Sequence, residues 1–159
     1  MNEKWLIALL PIVAGLLAIV PVIKADDVNV TVAVPPYVSV VFNYNTVNFG
    51  SVAPGTTDVP APGQENGIYN VSVIANVPVS IYASRTAWSP SDVLTLKFAL
   101  GTEVPMFPQF DLTTNSKLVT TVGYTGQYTH YHGYWLTVPL TAPGGVEYST
   151  TVTITYQPA

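Results

Sequence analysis

A chain of 159 residues has room for one domain and a targeting segment, and its lack of cysteine excludes a disulfide framework and thiolate chemistry. Charged residues make up only 9 % and the formal net charge is -4, with no basic patch to neutralise phosphates, which argues against a nucleic-acid partner. Val, Thr and Tyr favour the pleated, half-buried surface of a sheet, while 14 Pro and 11 Gly punctuate turns, so the composition reads as all-β. A surface of Thr, Ser, Asn and Tyr in place of Lys and Glu suits an extracellular, assembled or glycosylated protein better than a cytosolic monomer.

Residues 1–25 read as a secretory signal peptide. Lys4 precedes the apolar run Trp5–Ile23, and Lys24-Ala25 leads into the acidic Asp26-Asp27. Cleavage after Ala25 leaves no stable membrane anchor. The run is also just long enough to span a bilayer, but Pro11 and Pro21 weaken a continuous helix there. The expectation is a secreted mature chain starting at Asp26.

That mature N-terminus opens on a one-faced strand. Val28, Val30, Val32 and Val34 alternate with Asp27, Asn29, Thr31 and Ala33, so the valines share a face. The stretch Val28–Val34 spans roughly 23 Å at ~3.3 Å per residue. Pro35-Pro36 then cuts it off, because neither proline donates a ladder hydrogen bond and both fix φ. Residues 26–36 are thus a strand and linker ahead of a domain over 37–159. A strand held away from its own domain is better placed to bury its valines in a neighbour.

Within 37–159 the alternation predicts strands over 37–43, 46–49, 68–75, 79–84, 93–100, 117–122, 134–140 and 146–156. Residues 50–67 read as a long loop rich in Pro and Gly, and 101–116 as irregular. Eight or nine short strands with no helix after residue 25 predict a β-sandwich of jelly-roll or immunoglobulin-like type.

Little in the chain points to chemistry. His130 and His132 lie in Thr-His-Tyr-His-Gly-Tyr. In an extended segment they would share a face and chelate a metal, yet no Cys or nearby acid supplies a third ligand, so they read as part of a polar aromatic loop. No nucleophile elbow, zinc-protease helix or phosphate loop occurs, so neither an enzyme nor a cofactor is expected. Trp88, Trp135, Tyr124, Tyr128, Tyr131 and Tyr134 offer a sugar-stacking platform, the basis of an alternative reading as a monomeric surface module binding carbohydrate. Trp135, in an alternating strand, also suits a core position. Two glycosylation sequons, at Asn29 and Asn70, place their Asn on the polar phase of a strand.

Val47-Asn-Phe-Gly-Ser-Val-Ala-Pro-Gly-Thr56, followed by Ile68-Tyr-Asn-Val-Ser-Val-Ile-Ala-Asn-Val77, resembles the opening of TasA-type biofilm-fibre subunits, and above all the archaeal bundling pilins of the Pyrobaculum kind. The likeness covers the signal and about the first half of the mature chain. It implies a jelly-roll subunit polymerised by donor-strand complementation, with Val28, Val30, Val32 and Val34 as the donated residues. It implies further a cell-surface pilus, a homopolymer that bundles and supports cell–cell adhesion or biofilm. The physical case runs in the same direction. A sandwich lacking a strand exposes an edge and a strip of core, and a donated strand satisfies both. The contact is head-to-tail, so it propagates as an open filament when its rotation does not close. The competing expectation is that the strand returns to its own sheet and leaves a monomer.

Overall fold

The computed structural model describes residues 30–104, 108–123 and 125–159. The expected signal peptide, Val28, Asn29 and Tyr124 lie outside these residues. The chain divides into two units between Ala33 and Val34. Residues 30–37 carry no strand, and Val30, Val32 and Val34 are 85, 85 and 72 % exposed.

The unit from residue 34 onward is an all-β sandwich of two antiparallel sheets. Its strands are β1 (Val38–Phe42), β2 (Val59–Pro60), β3 (Asn70–Ala75), β4 (Val79–Arg85), β5 (Thr95–Gly101), β6 (Phe110–Asp111), β7 (Lys117–Val122), β8 (Gly126–Thr137) and β9 (Val152–Pro158). One sheet runs β1-β3-β8-β5-β6, with β2 added beside β8, and the other runs β7-β4-β9. Period-two sequences explain most of this. In β3 Val71, Val73 and Ala75 point inward, and in β4 Val79, Ile81 and Ala83 do, each at 3 % exposure or less. Leu96 and Phe98 of β5 meet Tyr134 and Leu136 of β8 in the main core, and Ala75, Val79, Ile81 and Val122 form a second cluster.

Three expectations are corrected. The stretch Thr129–Tyr134, read as a polar aromatic loop, lies inside β8, the longest strand among the described residues, and His130 and His132 within it are fully buried. Thr46–Phe49 forms no strand, and 146–151 is irregular apart from an isolated bridge between Ser149 and Ser89, so β9 begins only at Val152. A strand exists only where a continuous ladder partner lies alongside; among the described residues Thr46–Phe49 has none, and 146–151 has only the bonds of Ser149 to Ser89 and of Thr151 to Thr86.

The long loop 50–67 is not loose either. β3 pairs with β8 over 126–131, and the loop takes over that same edge beyond it. Ala61 N donates to Tyr134 O (2.9 Å), Tyr134 N to the buried Gln64 Oε1 (2.8 Å), and Val138 N to Thr56 O (2.9 Å). A 3-10 turn, Gln64–Asn66, closes on Gly67 at φ 67°, where a Cβ would meet the Tyr131 ring at 2.8 Å. Only glycine fits that position.

Candidate functional site

A groove of about 1540 Å³ lies between residues 44–54 on one side and 142–154 on the other. Small-molecule sites hold ~300–1,000 Å³. This groove is larger, and its shape follows from what its walls lack. Its floor is the main core itself: Trp88, Leu94, Leu96, Leu136 and Val138, each at 8 % exposure or less. Val47, Phe49 and Val52 on one wall, with Tyr148, Val152 and Ile154 on the other, are half-buried and pack against that core.

Both walls carry backbone without a ladder. Among the described residues β9 pairs with β4 alone, and Val152, Thr153 and Ile154 line the groove. The facing stretch 46–52 belongs to no strand. A strip of core flanked by open backbone on both sides is the liability that sheets normally cover.

A part-buried polar relay adjoins the groove, which Tyr44 and Tyr134 also line. The Tyr44 hydroxyl is hydrogen-bonded to His132 Nδ1 (2.5 Å) and to the Tyr134 hydroxyl (2.6 Å). The Tyr156 hydroxyl reaches His132 Nε2 (3.0 Å) and His130 Nδ1 (3.3 Å). Tyr44 sits at the start of one groove wall and Tyr156 on β9, so His132 ties the two sheets together beside the groove. Burial disfavours charge here. It lowers the His130 pKa to about 4 and, with His130 adding repulsion, that of His132 to about 3, and it pushes Tyr44 up to about 12. The two histidines do share a face, as period two requires. Among the described residues, no group of three or more His, Cys, Asp or Glu gathers to hold a metal ion.

The other candidate residues are placed differently. Trp88, Tyr134 and Trp135 are buried, so they form no exposed stacking platform, and Tyr128 and Tyr131 are half-buried. Trp135 packs with Ala99 on the outer side of the large sheet. Asn70, half-buried at the start of β3, uses its amide in local structure: Nδ2 donates to Gly67 O (2.8 Å) and Oδ1 accepts from Asn43 Nδ2. Thr31, of the first sequon, is exposed.

The exit of the N-terminal segment is built by a residue that sequence reading passed over. Asn76, in the turn between β3 and β4, accepts at Oδ1 from Tyr37 N (2.6 Å) and donates from Nδ2 to Pro35 O (2.9 Å). With Pro35 and Pro36 fixing φ, these bonds hold residues 35–37 to the turn between β3 and β4. Replacing Asn76→Ala is expected to cost about 1 kcal/mol of local stability. Amide exchange at Tyr37 should accelerate severalfold. Unchanged exchange would mean that the side chain does not hold this exit.

Compared with known proteins, the chain matches no protein-family model and no curated protein sequence.

Proposed function

We infer that the protein is the structural subunit of an extracellular fibre, polymerised by insertion of residues 26–34 of one copy into the groove of the next. One observation carries this reading. The same chain presents an exposed alternating valine segment and an apolar-floored groove whose two walls, among the described residues, have no ladder partner on the groove side. A strand laid in that groove would hydrogen-bond to the free edge of β9 and to residues 46–52, and set its valines on Leu96, Leu136 and Val138. It would also supply a partner to 46–49 and 146–148, which have none among the described residues. The hold at Pro35-Pro36 and Asn76 favours donation outward over a tight return.

The large, low-charge surface fits subunits that associate further, side by side. Bundling, adhesion or biofilm support, and a jelly-roll connectivity, follow from the likeness to the bundling pilins and belong to the same proposal. Negative-stain electron microscopy of the secreted protein, with N-terminal sequencing, tests it. The expected result is long filaments whose subunits begin at Asp26. Discrete particles of monomer size would refute polymerisation, and an intact Met1 in membrane fractions would refute cleavage.

A further inference from the structure

The groove floor contains a polar group with nothing to bind. Trp88 lines the groove at 8 % exposure, and its indole Nε1, sealed from solvent, has no hydrogen-bond acceptor among the described residues. Buried donors are satisfied in the great majority of cases, and an orphan calls for an explanation. Residue 88 is not loosely held. The Asp92 carboxylate accepts from Trp88 N (3.0 Å) and from Arg85 Nη1 (2.7 Å), and these two bonds keep its pKa below the usual carboxylate range. Next to it, Ser89 and Ser149 exchange two backbone bonds (2.9 and 3.1 Å), the isolated bridge that joins Trp88's loop to the groove wall.

We propose that Trp88 is a strand-binding residue, whose indole N–H donates to a main-chain carbonyl of the segment entering the groove. This rests on the groove being the strand acceptor and names the residue that reads the strand's backbone. An extended strand is suited to the role, since it presents a carbonyl every second residue along each edge whatever its side chains. Residues 149–151 of the wall are held by Ser89 and Thr86, but Val146, Glu147 and Tyr148 make no backbone hydrogen bond among the described residues, so this part of the wall can give way as the strand enters and open the indole to its acceptor. In the empty groove the orphan donor destabilises the chain, and the occupied groove removes that penalty. Trp88 thereby favours the filled state over the empty one, beyond the apolar contact its ring provides.

The test uses full-length chain carrying Val30→Asp and Val32→Asp, which accepts but does not donate, and a synthetic peptide of residues 26–36. With ¹⁵N-labelled indoles, the Trp88 Nε1–H resonance is expected to move downfield on adding the peptide, and its hydrogen exchange to slow at least tenfold. Trp135, on the outer side of the large sheet, should stay unmoved. Replacing Trp88 by 3-benzothienylalanine, which keeps the ring shape without the N–H, should weaken peptide binding about tenfold with an unchanged or higher melting temperature. Trp88→Phe provides a second variant with the same direction in affinity. Peptide that binds while the Trp88 resonance stays fixed, or that binds the benzothienyl chain equally well, overturns this role and leaves the groove reading intact. Failure of the peptide to bind the accepting chain at all overturns both.

Discussion

Filaments are expected to disappear from a chain carrying Val30→Asp with Val32→Asp, leaving a folded, secreted monomer. Both positions are 85 % exposed, so the substitutions remove no core contact seen at these residues, and the unfolding midpoint should stay within about 0.5 kcal/mol of the parent. Assembly is another matter. Burying each valine in a neighbour's groove contributes at least ~1.5 kcal/mol, and an unpaired carboxylate placed on an apolar floor costs several kcal/mol instead. Two such changes amount to about 6 kcal/mol or more, and ~1.4 kcal/mol is tenfold in an equilibrium constant. The critical concentration for growth should rise by more than about 10⁴-fold. Sedimentation and electron microscopy read the outcome directly. Abundant filaments of normal appearance from the double variant would eliminate residues 26–34 as the link between subunits.

Acid should unfold this protein well before its sparse carboxylates matter, and the cause is the buried histidine pair. Both folded-state pKa values lie below the ordinary 6.5, about 4 for His130 and about 3 for His132, because burial penalises the imidazolium. The unfolded chain therefore binds more protons than the folded one from pH 6.5 downward, so stability rises with pH across this range and is lost as pH falls. Below about pH 3 the folded state takes up the same protons and the dependence ends. At pH 5 the loss is roughly 2 kcal/mol per histidine, since one pKa unit is ~1.4 kcal/mol. The hydroxyls act at the other end. Tyr44 is raised to about 12 and Tyr134 is raised too, so the unfolded chain ionises first above pH 10 and stability falls again. Guanidinium unfolding of the non-polymerising double variant at pH 7, 5 and 4 should show midpoints declining with acid, and less steeply in a His130→Gln chain. A midpoint independent of pH between 7 and 4 would mean that the two rings are not buried neutral.

The same relay has a mechanical consequence for the groove. His132 holds Tyr44 and Tyr156 on opposite nitrogens, and each tyrosine can donate or accept, so the chain Tyr134–Tyr44–His132–Tyr156–His130 is satisfied in either direction. Removing one member strands its neighbours in the core. A polar network of this kind specifies how the two sheets meet more tightly than apolar packing alone would.

Much of the domain was legible in the sequence, because an edge or central strand with one face inward writes its own period. Asn70–Ala75, Val79–Arg85 and Lys117–Val122 fall within a residue or two of their expected bounds, whereas the strand expected over Val28–Val34 is absent from residues 30–34, the described part of that stretch. The all-β class followed from the same pattern with Pro, Gly, Val, Thr and Tyr usage. What the sequence could not supply was each element's partner. Gly126–Thr137 is polar by composition, and only the tertiary structure shows that His130 and His132 become core residues by bonding to tyrosines 24 to 88 positions away. Thr46–Phe49 and 146–151 have the right residues for strands and form none, since a ladder needs a second chain segment alongside and local sequence contains no information on whether one is present. The groove, its open edges and the unsatisfied indole at its floor arise only from how the two sheets close.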